Sequence, residues 1–264
     1  MYPKICDVGP ISIHTYGILL AAAFILGIWI ASRIASKNGI EPDSVWNLGL
    51  VIIFSALVGA KIILFFSDYR YYSENPREIF SLSTLRSSGV YYGGFFLALA
   101  SAAWYLKKKR LPFWTMADIA APGIALGQAV GRLGCLSAGC CFGKPTQMPW
   151  GITFTNQYAY ENVGVPLNIP LHPTQIYEAI GSFCLFLFLM FYFPKKKAKG
   201  EIILLYVFGY ALMRFIVEFF RGNERDFVFY GLLSTSQLIA IFAVLGSVVA
   251  YFFLMRRPAA VPQN

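Results

Sequence analysis

Tyr210, Arg214 and Glu218 recur at intervals of four along an otherwise almost wholly apolar stretch. In a helix that spacing stands all three on one face. Ionisable groups at membrane depth cost about 2.5–3.5 kcal/mol each on insertion scales, and they face a protein interior or watery cavity rather than lipid. The stripe therefore marks a candidate site. Its chemistry leaves two readings open: an internal Arg214–Glu218 pair that neutralises two buried charges, or a guanidinium offered to an anionic ligand. Arg221 continues the series about two turns beyond Arg214.

A second set lies in Gly127-Gln128-Ala129-Val130-Gly131-Arg132-Leu133-Gly134, where Arg132 is the only charge among small and apolar residues. A guanidinium is a planar fork of donors suited to phosphate, and it stays charged when partly desolvated. The plain alternative is an interfacial arginine whose stem lies in lipid and whose head reaches water. A third set is His172-Pro173-Thr174-Gln175-Ile176-Tyr177-Glu178. Proline near the first helical position and a glutamate in the first turn are helix-start chemistry, which requires neither His172 nor Gln175. The fourth is Ser88-Gly89-Val90-Tyr91-Tyr92-Gly93-Gly94, whose adjacent glycines weaken a helix and so point to tight packing or to backbone approach by a ligand. His14, Tyr16 and Gly17 open the first apolar run.

These groups need elements to hold them, and composition says what kind. Hydrophobic residues make up 57% of the 264 and charged residues 13%, with a mean hydropathy of +0.58. That is a polytopic membrane protein rather than a soluble domain. Seven apolar segments, around 16–32, 45–66, 89–106, 111–130, 176–193, 202–220 and 231–255, are each long enough to cross about 30 Å of hydrocarbon. The expected fold class is thus all-α, with seven transmembrane helices in one domain over 1–264.

Basic residues gather in alternate connections: Arg33 and Lys37, Lys107 to Arg110, Lys195 to Lys197 with Lys199, and Arg256 with Arg257. The positive-inside rule makes those ends cytoplasmic, placing the amino terminus outside and the carboxyl terminus inside. Much of the net charge of +9 is therefore topological, and no nucleic-acid partner is implied. The first run follows no basic region of signal-peptide form and reads as a retained span. Between spans, 67–88 reads as an external surface arm and 134–173 as a small external head. Asp118, near the start of the fourth segment, reads as an end-cap residue. Cys135, Cys140 and Cys141 fall on the outer side, where a disulfide could persist. Paired C-x-x-C elements are absent, so no metal site is expected.

Ile13-His14-Thr15-Tyr16-Gly17, Tyr92-Gly93-Gly94, Gly131-Arg132-Leu133-Gly134, His172 to Glu178 and Tyr210 to Arg221, taken in order along nearly the whole chain, resemble the bacterial prolipoprotein diacylglyceryl transferases. The resemblance implies an inner-membrane enzyme. Its reaction moves the sn-1,2-diacylglyceryl group of phosphatidylglycerol to the lipobox cysteine thiol of a preprolipoprotein, leaving a thioether and releasing glycerol phosphate. No cofactor is implied, because the transferred group arrives already bonded in the lipid. Arg132 and Arg214 would bind phosphate and stabilise its developing charge. Tyr16, Tyr92, Tyr210 and Glu218 would position lipid or carry protons, and His14, His172, Gln175, Glu178, Arg221, Gly93 and Gly94 would line the site. Two positions depart from the family pattern. Tyr92 stands where a histidine is usual, and Cys135, Leu136, Ala138 and Cys140 stand at positions usually Asn, Phe, Asn and Glu. A transporter using the same charged cavity, or a membrane thiol–disulfide protein built on the three cysteines, are the rival readings.

Overall fold

The computed structural model describes residues 3–8, 11–81, 84, 89–222, 227–228 and 233–255. Ser88, Arg256 and Arg257, named in the sequence analysis, lie outside the described residues.

Helices dominate. Among the described residues, five are long and apolar enough to cross a membrane: α1 (Thr15–Lys37), α2 (Pro42–Ser67), α5 (Phe113–Ala138), α7 (Thr174–Tyr192) and α9 (Thr235–Met255). A short helix, α3 (Tyr69–Glu74), follows α2, and another, α6 (Gln157–Val163), lies between α5 and α7. Two further long helices, α4 (Tyr91–Lys108) and α8 (Glu201–Glu218), have 18 residues each. Lysines close α4, and Glu201, Arg214 and Glu218 dilute the apolar run of α8. The fourth apolar segment is longer than its hydropathy suggests, because α5 continues past Val130 to Ala138 and carries Arg132 and Cys135 on its last turns.

The chain divides into two compact units, one of residues 32–116 and one of residues 1–31 with 117–264. In the first, α2 and α4 pack closely through small residues. A Cβ on either Gly59 or Gly93 would collide with the other's carbonyl oxygen, and one on Gly94 would lie 2.7 Å from the Ala56 oxygen. Lipid tails are as apolar as the helices, so close van der Waals approach at such positions is what holds spans together. Of the two roles open to Gly93 and Gly94, helix packing is the one visible here. Tyr92 is exposed, with its ring edge-on to Tyr91.

In the second unit α1 crosses α5 at Gly27 and Gly123, where a Cβ on Gly27 would lie 2.8 Å from the Gly123 oxygen. Helix α8 packs against both α7 and α9, around a core of Ala121, Ala125, Leu189, Ile202 and Tyr206. The first turn of α8 is capped from a distant helix. Asp118, fully buried inside α5, accepts from the Gly200 and Ile203 amides at 2.8 and 3.1 Å and pairs with Lys196 at 3.1 Å. The expectation that Asp118 caps its own helix is thus corrected: four orphan amides at a buried helix start need acceptors, and this carboxylate supplies two of the contacts. After α5, strands β1 (Ile152–Thr153) and β2 (Pro170–Leu171) pair antiparallel. With α6 they enclose a separate apolar cluster of Phe142, Phe154, Ala159, Val165 and Leu171.

Candidate active site

Glu178 is the centre of the site. The helix that carries it begins at Thr174, so Glu178 lies one turn in, its side chain only 1% exposed. It does not cap the helix. An isolated buried carboxylate would be prohibitively costly, and three guanidiniums answer it. Arg132 Nη2 of α5 lies 2.6 Å from Oε2, Arg221 Nη1 donates to Oε1 at 3.2 Å, and Arg214 Nη1 of α8 stands 3.7 Å from Oε1. Arg214 also pairs with Glu218 at 2.7 Å, one turn along α8. Both readings of the stripe are therefore partly right: the internal pair exists, and it belongs to a larger assembly.

The far oxygen of Glu218 is fixed from Ser234, the residue just before α9. Ser234 Oγ donates to Glu218 Oε1 at 2.9 Å, and its own amide donates to Gln237 Oε1 at 3.0 Å. Arg214 Nη2 donates to Ser236 Oγ at 3.3 Å. Three guanidiniums thus face two carboxylates, leaving one positive charge in surplus. Arg132 is the most accessible of the three, its side chain 21% exposed against 14% for Arg214 and 4% for Arg221. Gly131 beside it has open space where a Cβ would sit. The arrangement can accept an anion at Arg132 while Arg221 and the carboxylates hold the remaining charges in register.

Arg221 is not the helical continuation that its spacing suggests. Helix α8 ends at Glu218, and Phe219 and Phe220 turn the chain so that Arg221 pairs in a β-bridge with Gly143. That bridge belongs to a three-way main-chain junction. Gly143 N donates to His172 O at 3.0 Å, Lys144 N to Phe220 O at 2.8 Å, His172 N to Lys144 O at 2.9 Å, and Gly222 N to Phe142 O at 3.1 Å. A side chain on Gly143 would strike His172 and the Phe220 oxygen, and one on Gly222 would strike Gly143. Sequence reasoning missed Gly143 and Gly222, because their crowding comes from segments far away in the chain.

The remaining expected residues divide by role. His172 Nδ1 lies 3.1 Å from the Tyr177 hydroxyl, which also accepts from Trp150 Nε1 at 2.8 Å, and its ring stands edge-on to Phe220. His14 Nε2 is 2.8 Å from the Tyr158 hydroxyl. Each histidine is held by a tyrosine rather than by Glu178 or an arginine. Tyr210 stacks on Tyr206 and lies in the electrostatic field of Arg132. Tyr16, at the start of α1, packs against Gly134, where a Cβ would lie 3.2 Å from its ring. Gln175 is buried and donates from Nε2 to the Cys140 oxygen at 2.8 Å, while the Thr174 hydroxyl donates to the Cys141 oxygen at 2.6 Å.

Those two bonds pin a loop that brings Cys135, Cys140 and Cys141 together as free thiols, with all three sulfurs within 4.8 Å of one another. The turn needs left-handed backbone at Gly139 (φ 78°) and Cys141 (φ 61°). Glycine adopts this conformation readily and cysteine does not. Hydrogen bonds from Cys135 and Cys140, reinforced by Arg221 and Arg132, hold the Cys141 thiol well below its ordinary pKa. Cys140, as donor to Cys135 and Cys141, is pushed up. The absence of C-x-x-C pairs hid this convergence.

Comparison with known proteins follows the same outline. A family model described as prolipoprotein diacylglyceryl transferase matches residues 3–253. Among similar proteins, a phosphatidylglycerol–prolipoprotein diacylglyceryl transferase of Clostridium tetani is 37% identical, covering 93% of this chain and 94% of its own. Proteins of the same name from Finegoldia magna and Clostridioides difficile are 34% and 32% identical; the alignments cover 90% of both chains in the first case, and 94% of this chain and 93% of the relative in the second.

Proposed function

This chain belongs to the prolipoprotein diacylglyceryl transferase family, and we propose that the three arginines around Glu178 are where it does that family's chemistry. It is a transferase of a bacterial membrane, and it moves the diacylglyceryl group of phosphatidylglycerol to a prolipoprotein cysteine. The phosphate of phosphatidylglycerol enters at Arg132 and Arg214, and the acceptor is a lipobox thiol. One observation carries this reading: a largely buried assembly with a surplus positive charge, opening at Arg132 beside bare Gly131.

In the transfer, the acceptor sulfur attacks the glyceryl carbon that bears the phosphate ester. The carbon–oxygen bond breaks, and its electron pair leaves with glycerol phosphate. Negative charge grows on the departing phosphate as the bond lengthens. Guanidiniums already fixed at that point stabilise the transition state more than the substrate, with little reorganisation. Glu178 and Glu218 keep the cations from repelling one another between turnovers. Tyr16, Tyr92 and Tyr210 orient the lipid or the acceptor, and His14, His172 and Gln175 line the approach. Family membership favours transfer over the transporter and thiol–disulfide readings, since the relatives bear the transferase name.

The topology that fits this site has seven spans, α4 and α8 crossing the membrane as well as the five more apolar helices. The amino terminus is then outside and the carboxyl terminus cytoplasmic, and the basic connections point inward. The head of 134–173 then lies on the outer side with the arginines, in reach of a translocated acceptor.

The test is a mass shift. Purified protein with phosphatidylglycerol should add a diacylglyceryl group to a lipobox peptide, and Arg132→Ala and Arg214→Ala should each abolish the addition while staying folded. Full activity in both variants would sink the proposal.

A further inference from the structure

The three cysteines gathered at the end of α5 and in the loop that follows it are not explained by phosphate binding. Cys135, Cys140 and Cys141 are free thiols gathered at one point, and the transfer described above gives none of them a role. We propose that they bind a thiophilic divalent cation of the zinc class, whose open fourth position takes the acceptor thiol. The use of that fourth position rests on the transferase reading above; the binding of the cation does not.

Geometry is the first support. A tetrahedral ion at about 2.3 Å from each sulfur needs sulfur–sulfur separations of about 3.8 Å. The three sulfurs already lie within 4.8 Å of one another, so small side-chain rotations close the set. A disulfide would use two of the thiols and strand the third, whereas an ion uses all three.

Rigidity is the second. The carbonyls of Cys140 and Cys141 are gripped by Gln175 and Thr174, both buried. Beyond them, Gly143 joins the main-chain junction with His172 and Phe220. Cys141 is held in left-handed backbone at φ 61°, a conformation that persists only when its surroundings enforce it. Metal affinity profits from ligands whose backbone does not have to be ordered on binding.

Charge is the third. Three thiolates with a divalent ion carry one net negative charge. The arginine assembly carries one surplus positive charge, and Arg132 and Arg221 lie within electrostatic reach of Cys141. Soft sulfur donors select zinc or copper(I) over magnesium or calcium. Three protein ligands and one open position is the coordination of catalytic rather than structural zinc.

The chemistry follows from that open position. The acceptor thiol binds the ion through sulfur and gives its proton to solvent, so the nucleophile is present as thiolate without a neighbouring base. Its lone pair forms the carbon–sulfur bond as the phosphate ester bond breaks. The thioether product is a poor ligand for the ion and departs, restoring the three-thiolate site.

The experiment uses the full chain in detergent, stripped with a chelator and titrated anaerobically with Co2+ alone. About one equivalent should bind with thiolate-to-cobalt charge-transfer absorption. That absorption should vanish in the Cys135→Ser, Cys140→Ser and Cys141→Ser variants and survive in Cys6→Ser and Cys184→Ser. A lipobox peptide should then change the spectrum, and its serine analogue should not. No charge-transfer band in the parent protein, or an unchanged band in the three loop variants, overturns the cation site. A band indifferent to the cysteine peptide overturns the open position. Because parent protein and peptide suffice for both readings, a variant that fails to fold leaves the test intact. Cobalt binding without any lipidated product would instead count against the transferase reading.

Discussion

Arg132 and Arg221 grip opposite oxygens of one carboxylate, Arg132 at Oε2 and Arg221 at Oε1 of Glu178. One comes from the end of α5 and the other from beyond the end of α8. A single buried anion thus ties two separate parts of the chain to the start of α7.

Glu178→Gln keeps the shape and removes the charge, leaving Arg132 and Arg221 facing each other with less compensation. Removing one partner of a buried ionic group costs about 3–5 kcal/mol. The retained amide oxygen puts the expected loss at the lower end. A clear drop in the thermal midpoint and in diacylglyceryl transfer should accompany the change. Parent-like values of both would show that the carboxylate is not the organising centre.

Arg132→Lys keeps the charge and loses the planar fork. A charge-assisted hydrogen bond is worth about 1.5–3 kcal/mol, so turnover should fall by roughly 10- to 100-fold if that bond forms in the transition state. The fall should appear in kcat, with KM for phosphatidylglycerol changing less. An effect confined to KM would make Arg132 a binding group only.

Tyr92 is exposed in its own unit. Replacement by Phe removes only the hydroxyl. If that hydroxyl carries a proton or orients substrate, transfer should slow by at least about tenfold. Unchanged turnover would exclude it.

Asp118→Ala leaves the Gly200 and Ile203 amides without their acceptor and Lys196 without its counter-charge. Each unsatisfied buried group costs about 1–3 kcal/mol. Folded protein should lose thermal stability yet retain its specific activity, since Asp118 touches none of the arginines. Intact stability, read by thermal scanning in detergent, would contradict the capping role.

The stripe of Tyr210, Arg214 and Glu218 was legible because i,i+4 neighbours are local, and the Arg214–Glu218 pair follows from spacing alone. Glu178 is legible as a site-lining residue or a helix-start glutamate, but not as the centre of the assembly. Its true partners come from α5 and from beyond α8, and no spacing rule says which helices face each other. Arg221 was assigned by extrapolating a helix that ends at Glu218. The cysteine cluster needed a left-handed turn at Gly139 and Cys141, which C-x4-C-C spacing does not announce. Gly93 and Gly94 carried two readings in sequence, and only their neighbours Gly59 and Ala56 separate them.

The main-chain junction at Gly143, His172, Phe220 and Gly222 sets the course of the cysteine loop through peptide groups, with little demand on its side chains. Such a joint separates routing from chemistry. The side chain at position 140 thereby rides on a fixed track and can be exchanged while Glu178 and Arg221 stay where they are. A point substitution there changes what the loop presents with no redesign of the arginine assembly.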